Sequence, residues 1–328
     1  METQVGDMKN GRKKNGRNGG VQAPNAPARA RNTPDFLPPG ADETRLKVLK
    51  TYKVYVGGKF PRTESGRYYL LKSPAGEPLA NISQCSRKDF RDAVVAARAA
   101  QSAWAARSAY NRGQILYRIA EMLEGRTAQF VDEMVQQGVE PQAARAEVNA
   151  SVDRFLYYAG WCDKYQQVFS SVNPVSSSHF NFSVLEPTGV VSILVPEDSA
   201  LIGLVSTIAP AIAGGNTCIA LASTSLPLCA VTLGEVLATS DLPGGVINLL
   251  TGDRAELHEH FASHMDVNAT IYCGRDAKHL AAVRNKSSLN VKRVVHYDRE
   301  DWMTTEAQSP YFVLDTQEVK TTWHPVGI

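Results

Sequence analysis

An α/β fold organised around one five-stranded, mainly parallel sheet is what this sequence predicts, and two observations carry that expectation. Between positions 186 and 252 the chain alternates strand and helix. Apolar runs at 189–195, 218–221 and 246–250 are separated by helical patterns at 200–213 and 227–239. Parallel strands joined by crossover helices have this spacing. Two further buried-type runs, 270–273 and 291–295, each follow a helical stretch, at 255–264 and 277–284. Five such runs point to a doubly wound, Rossmann-like layer.

The elements follow in order. Residues 1–45 are rich in Gly, Asn, Pro and Ala, carry Arg12, Lys13 and Lys14 among few acids, and read as a disordered basic tail. Alternation at 52–56, a Gly57-Gly58 turn and a run at 68–71 predict short strands. Ser86 and Asp89 form a capping box ahead of a helix over 90–107, with Val94, Ala97 and Trp104 on one face. Helical periods continue at 111–123 and 127–137, and Pro141 opens a helix expected to reach about 169. A strand is predicted at 180–185, and β-type segments at 310–313 and 318–323 close the chain.

With 328 residues the chain can bury one large or two modest cores. A net charge of +2 argues against nucleic acid as a partner of the folded part. The five cysteines form no CxxC pair and no cluster with histidine, so neither disulfides nor a metal site is expected, and a reducing, cytoplasmic setting is the plain reading. No apolar run is long enough to span a bilayer, so no membrane partner is expected.

The order of motifs then becomes informative. Glu186-Pro187-x-Gly189, Pro210-Ala211-x-Ala213-x-Gly215-Asn216-Thr217, Leu242-Pro243-Gly244-Gly245-Val246-x-Asn248 and Thr251-Gly252 together resemble the aldehyde dehydrogenase family, over roughly 52–295 and again at 318–323. A narrower resemblance is to the shortened, degenerate second module of the sixteenth-family aldehyde dehydrogenases. It is carried by Arg87-Lys88-Asp89, Thr239-Ser240-Asp241, Thr251-Gly252-Asp253-Arg254 and Asp301-Trp302.

The resemblance implies a thiolate nucleophile, oxyanion donors, a carboxylate base and a bound dinucleotide. It also implies that the nucleophile belongs to a catalytic domain lying between the fifth strand and the last, where this chain has only 295–310, so that domain is expected to be missing and no catalytic residue is assigned. The matched base position holds Tyr297. The oxyanion Asn position holds Asp198, after Glu197, and an ionised carboxylate cannot donate. The ribose positions hold Leu221 and Thr224. Of the diphosphate glycines Gly252 persists, while Arg254 and His258 replace the next two; after the fourth strand Gly274 persists, with Arg275 and Asp276 behind it. Pro196, Gly252 and Gly274 are therefore weak remnants of a cofactor site. Arg254 and Arg275 are possible contacts for some other anion, or ordinary surface arginines.

These residues lead to a division into the tail 1–45, a β-arm (46–80 with 168–187 and 308–328) and a Rossmann-like cofactor-type domain (81–167 with 188–307). The expected role is a non-catalytic oligomerisation or scaffold module. It would form homo-oligomers or dock onto a full-length aldehyde dehydrogenase through the arm. The alternatives are an NAD(P)-dependent aldehyde oxidoreductase, with NAD(P) as cofactor in that case only, and a nucleotide- or anion-binding module.

Overall fold

The computed structural model describes residues 48–298 and 300–327. The tail 1–45 lies outside the described residues. Strands Thr51–Tyr52 (β1), Tyr68–Lys72 (β2) and Pro78–Ser83 (β3) precede four helices, Arg87–Ala105 (α1), Ala109–Glu124 (α2), Thr127–Gln136 (α3) and Pro141–Trp161 (α4). Then come Tyr165–Phe169 (α5), Ser171–Asn173 (β4) and His179–Pro187 (β5). The alternating part is Val190–Leu194 (β6), Ile202–Ala213 (α6), Thr217–Leu221 (β7), Leu228–Ala238 (α7), Ile247–Leu250 (β8), Arg254–Ser263 (α8), Ala269–Cys273 (β9), Ala277–Ser288 (α9) and Arg293–Tyr297 (β10). Tyr311–Leu314 (α10) and Gln317–Pro325 (β11) follow.

The five alternating strands form one parallel sheet in the order β10-β9-β6-β7-β8. Every residue of β6, β7, β8 and β9 is buried, as continuous apolar runs covered on both faces require. Val191, Cys218 and Ile271 face a core shared with α2, α4, α6 and α7, while Val190, Ile219 and Tyr272 face α1 and α8. α6 is buried all round, which is why it is apolar all round. Ser86 and Asp89 make the expected capping box at the start of α1.

The motif residues serve this framework. Asn216 Oδ1 accepts from the Gly189 amide at 2.8 Å, Asn248 Nδ2 donates to the Cys218 carbonyl at 3.1 Å, and Thr217 Oγ1 donates to the Ala97 carbonyl at 3.0 Å.

Several expectations are corrected. The segment 46–80 is grouped above with the arm, but its described strands, β1, β2 and the start of β3, form a separate sheet β1-β3-β2. Tyr52, Leu71 and Ile82 there pack on Leu228 and Val231 of α7, away from β5. Neither β3 nor β4 is among the expected strands. The alternation at 52–56 yields a two-residue strand, after which Tyr55 exchanges backbone hydrogen bonds with Leu249 at the edge of the main sheet. The helix from Pro141 stops at Trp161. The fifth run begins two residues late, because Val291 turns the chain with φ 54°. The 310–313 segment is a helical turn rather than a strand: Pro310 caps it and Val313 is buried beneath it.

Between β10 and β11 the chain has only 298–316, too short for a domain with its own core. This connection is held from below by α4. Arg154, 2% exposed, donates to the carbonyls of Trp302 (2.9 Å) and Ala307 and to Ser206 Oγ, and Tyr158 donates to the Ser309 carbonyl at 3.0 Å. Trp302 and Phe312 pack around Tyr297. The apolar surface that a lost layer would expose at this end is thus covered by the connection itself.

β5 continues after Thr188 and Gly189 into β6 and is flanked by β4 and β11 in an antiparallel sheet. Val172, Phe180, Val319 and Trp323 of this sheet stand in solvent, and β11 is an edge strand. The root of β11 is clamped. Asn216 Nδ2 donates to the Thr316 carbonyl (3.0 Å), Gln317 Nε2 to the Gly214 carbonyl (3.1 Å), and Arg293 to the carbonyls of Asp315 and Gln317.

Candidate functional site

In a doubly wound sheet, ligands bind at the carboxyl ends of the strands, against helix N-termini that attract anions. A crevice of about 510 Å³ occupies that place here, bordered by Pro196, Arg254, Gly274 and Arg275. The sheet therefore brings the candidate residues together, with Gly252 at the base of the loop leading to Arg254.

The amides at those helix starts are already engaged by the chain's own carboxylates. Glu147 of α4 accepts from the amides of Leu201 (2.8 Å) and Ile202 (3.0 Å) at the start of α6. Glu197 accepts from the Thr224 amide at 2.8 Å and from the Thr224 hydroxyl at 3.4 Å, in the loop before α7. Asp253 accepts from the Ala255 amide on α8, and Asp276 from the Lys278 and His279 amides on α9.

Arg254 departs from both expectations, since it is neither a surface arginine nor a free anion contact. Its side chain, 11% exposed, lies across the strand ends. It donates to the Cys273 carbonyl at 2.9 Å and to the Val195 carbonyl, and its Nε lies 2.9 Å from Glu197 Oε1. That last N–H is not aimed along the contact, so charge attraction holds the pair more than a directed hydrogen bond. Arg275 is exposed at the mouth and donates its Nε to the Asp298 carbonyl at 3.0 Å.

The remnant glycines have local reasons to be glycine. Gly252 has φ +154°, and a Cβ there would sit 3.1 Å from the Cys85 amide nitrogen. At Gly274 a Cβ would lie 2.9 Å from the Tyr272 hydroxyl, so the phenol ring fills the space that a close-approaching diphosphate would need. Glu197, Asp198, Asp253, Asp276 and Glu300 bring five carboxylates to the crevice against Arg254 and Arg275. A dinucleotide diphosphate does not fit this arrangement, for reasons of both space and charge.

The cysteines are not placed as exposed nucleophiles. All five cysteines are buried, and burial pushes their thiols well up, Cys162 to about 12. A thiol held neutral is a poor nucleophile. Tyr297 donates its phenol to Asp315 Oδ2 at 2.6 Å, and burial raises its pKa well above the ordinary value. Asp198 is exposed at the strand end. Among the described residues no group of three or more His, Cys, Asp or Glu side chains is placed to hold a metal ion.

Glu147 and Arg154 were missed by sequence reasoning. Both lie on α4, and their partners are 52 or more positions away, so no local pattern signals them.

A doubly wound α/β layer with a dinucleotide-type strand-end crevice defines the class, and comparison with known proteins places it further. The profile of the aldehyde dehydrogenase family matches residues 61–320, and the chain belongs to that family. Human retinal dehydrogenase 2 is 29% identical over 252 residues, covering 75% of this chain and 48% of its own length. Mouse cytosolic 10-formyltetrahydrofolate dehydrogenase is 27% identical over 256 residues, 76% of this chain and 28% of its own. Among solved structures, PnpE from Pseudomonas sp. WBC-3 superposes with TM-score 0.71 at 27% identity, over 75% of this chain and 50% of that one. A point mutant of an aldehyde dehydrogenase from Bacillus cereus superposes with TM-score 0.72 at 24% identity, over 75% and 50%, and speaks for the fold alone. The chain spans half or less of the length of these relatives. Among the described residues no helix is long and apolar enough to cross a membrane.

Proposed function

We propose that this chain is a non-catalytic aldehyde dehydrogenase module that works by assembly through β4, β5 and β11, with a second copy or a full-length relative as partner. The observation that carries this reading is the filling of the strand-end crevice by Arg254, Tyr272 and the chain's own carboxylates. Support for assembly comes from the arm. An edge strand with solvated Val319 and Trp323 is a template for pairing with another chain. The narrower likeness to the second module of sixteenth-family aldehyde dehydrogenases belongs to this same proposal.

Two measurements test it. Deleting residues 319–328 removes most of β11 but spares its clamped root and buried Val313; light scattering should show a loss of mass relative to the full chain, and an unchanged mass refutes assembly through the arm. Thermal-shift titration with NAD and NADP, beside an NADH absorbance assay on an aldehyde panel, should show neither stabilisation nor turnover. A saturable shift or NADH formation would establish the oxidoreductase reading instead.

A further inference from the structure

A cavity of about 880 Å³ lies away from the strand ends, between the first turn of α1, one face of α8 and Lys286 of α9. We propose that this cleft binds the phosphate group of a small phosphorylated molecule, gripped by Arg87, Arg91, His260 and His264.

The pairing of charges around the cleft points there. Lys88 is held by Glu64 at 2.5 Å, Glu256 by Arg67 at 2.7 Å, Glu259 by Lys286 at 3.1 Å, and Arg91 leans on its neighbour Asp92 at 2.8 Å. Arg87 has no ion-pair or hydrogen-bond partner among the described residues. A merely solvated face would leave its charges scattered; here every neighbouring acid is engaged elsewhere and one guanidinium is left over.

The donors converge. Arg87 and Arg91 share a face of α1 at i, i+4, while His260 lies in the last turn of α8 and His264 is the residue that caps its end. His264 Nδ1 accepts the Asp266 amide at 3.2 Å, which places its proton on Nε2, free to donate. Burial, aided by the Arg87 charge at His260 and by the Lys292 and Arg87 charges at His264, lowers both histidines below the ordinary range, so the positive charge that meets a phosphate comes from the arginines. The helix start itself adds nothing, because Ser86 and Asp89 already occupy the capping positions of α1. Phe90, stacked on Phe261 at 4.1 Å and met edge-on by His264, gives the floor a rigid apolar surface. The volume suits a small molecule, and a phosphate monoester supplies the matching charge and acceptors.

Inorganic phosphate and phenyl phosphate, titrated into the full chain at two fixed ionic strengths, test this by calorimetry and by NMR of the histidine rings. Saturable shifts confined to His260 and His264 are expected, with Arg87→Gln weakening affinity about 10- to 100-fold and Arg275→Gln leaving it unchanged. His264→Gln, made in parallel, should weaken binding likewise and guards against a folding defect in one variant. Phosphatidylcholine vesicles with and without phosphatidic acid form a second arm. Vesicle binding without phenyl phosphate binding, shifts that follow ionic strength alone, or equal affinity in Arg87→Gln would each overturn the assignment.

Discussion

Replacing Arg154 by Met removes the tie between α4 and the short connection that joins β10 to β11. The guanidinium is 2% exposed, has no carboxylate partner among the described residues, and is held by the Trp302 and Ala307 carbonyls and Ser206 Oγ. Hydrogen bonds to a charged group contribute roughly 1.5–3 kcal/mol each, and a buried carbonyl left without a donor costs about 1–3 kcal/mol. Against these losses, Met no longer has to hold a charge away from water, a penalty of several kcal/mol in its own right. With the Trp302 and Ala307 carbonyls, and the more distant Thr304 carbonyl at 3.4 Å, orphaned and the desolvation penalty recovered only in part, the net loss should be about 2–4 kcal/mol. That corresponds to a fall of roughly 4–10 °C in Tm for a chain of this size. Hydrogen exchange should localise the damage, with amides of 302–309 opening first. Arg154→Lys should fall between the two, since an ammonium lacks the fork that reaches acceptors on both guanidinium nitrogens. A Tm change below about 2 °C, with protection of 302–309 unaltered, would refute the claim that this arginine holds the connection in place.

The remaining predictions use other sites. Glu133 is buried, accepts from Thr232 at 2.7 Å and Tyr52 at 3.2 Å, and burial raises its pKa from 4.5. The folded state therefore holds this proton after the unfolded chain has released it, and stability is lost as pH rises from about 4.5 through the folded value. Glu133→Gln should gain on the wild type in urea melts between pH 5 and 8; parallel curves would exclude the carboxyl as their source. Trp302→Ala, which empties the packing against Tyr297 and Phe312, should cost about 3–5 kcal/mol by denaturant unfolding. Gly252→Ala forces a side chain onto a φ of +154° against the Cys85 amide and should cost about 1–3 kcal/mol. Arg254→Gly should destabilise by freeing the Val195 and Cys273 carbonyls without conferring NAD binding in calorimetry, because the carboxylates and Tyr272 stay in place.

The parallel layer was legible because its evidence is local: apolar runs of strand length separated by helical periods, with Gly-rich turns between them. Less legible were segments whose state is set from a distance. Pro310-Tyr311-Phe312-Val313 reads as β-type by composition, yet it winds into a turn because Val313 is drawn into the core beneath it. The run 52–56 alternates as an arm strand would, but α7 offers Tyr52 and its sheet a nearer apolar face. At the site, the residue types at the strand ends, such as Asp198, Leu221 and Arg254, could be read position by position. What occupies the space there could not. Glu147, Glu197 and Arg254 act across loops and helices, and nothing in the residue types shows that a carboxylate on α4 ends up beneath the first turn of α6.

The clamp at the root of β11 has a mechanical consequence. Asn216, Gln317 and Arg293 join the last strand to the end of α6 and the start of β10, while β5 passes into β6 with two residues between them. The antiparallel sheet is thus tied at its base to the layer. Whatever seats itself on the outer edge takes its angle from the central strand. The arm and the layer should tumble as one body, with a common rotational correlation time for amides on β11 and β6.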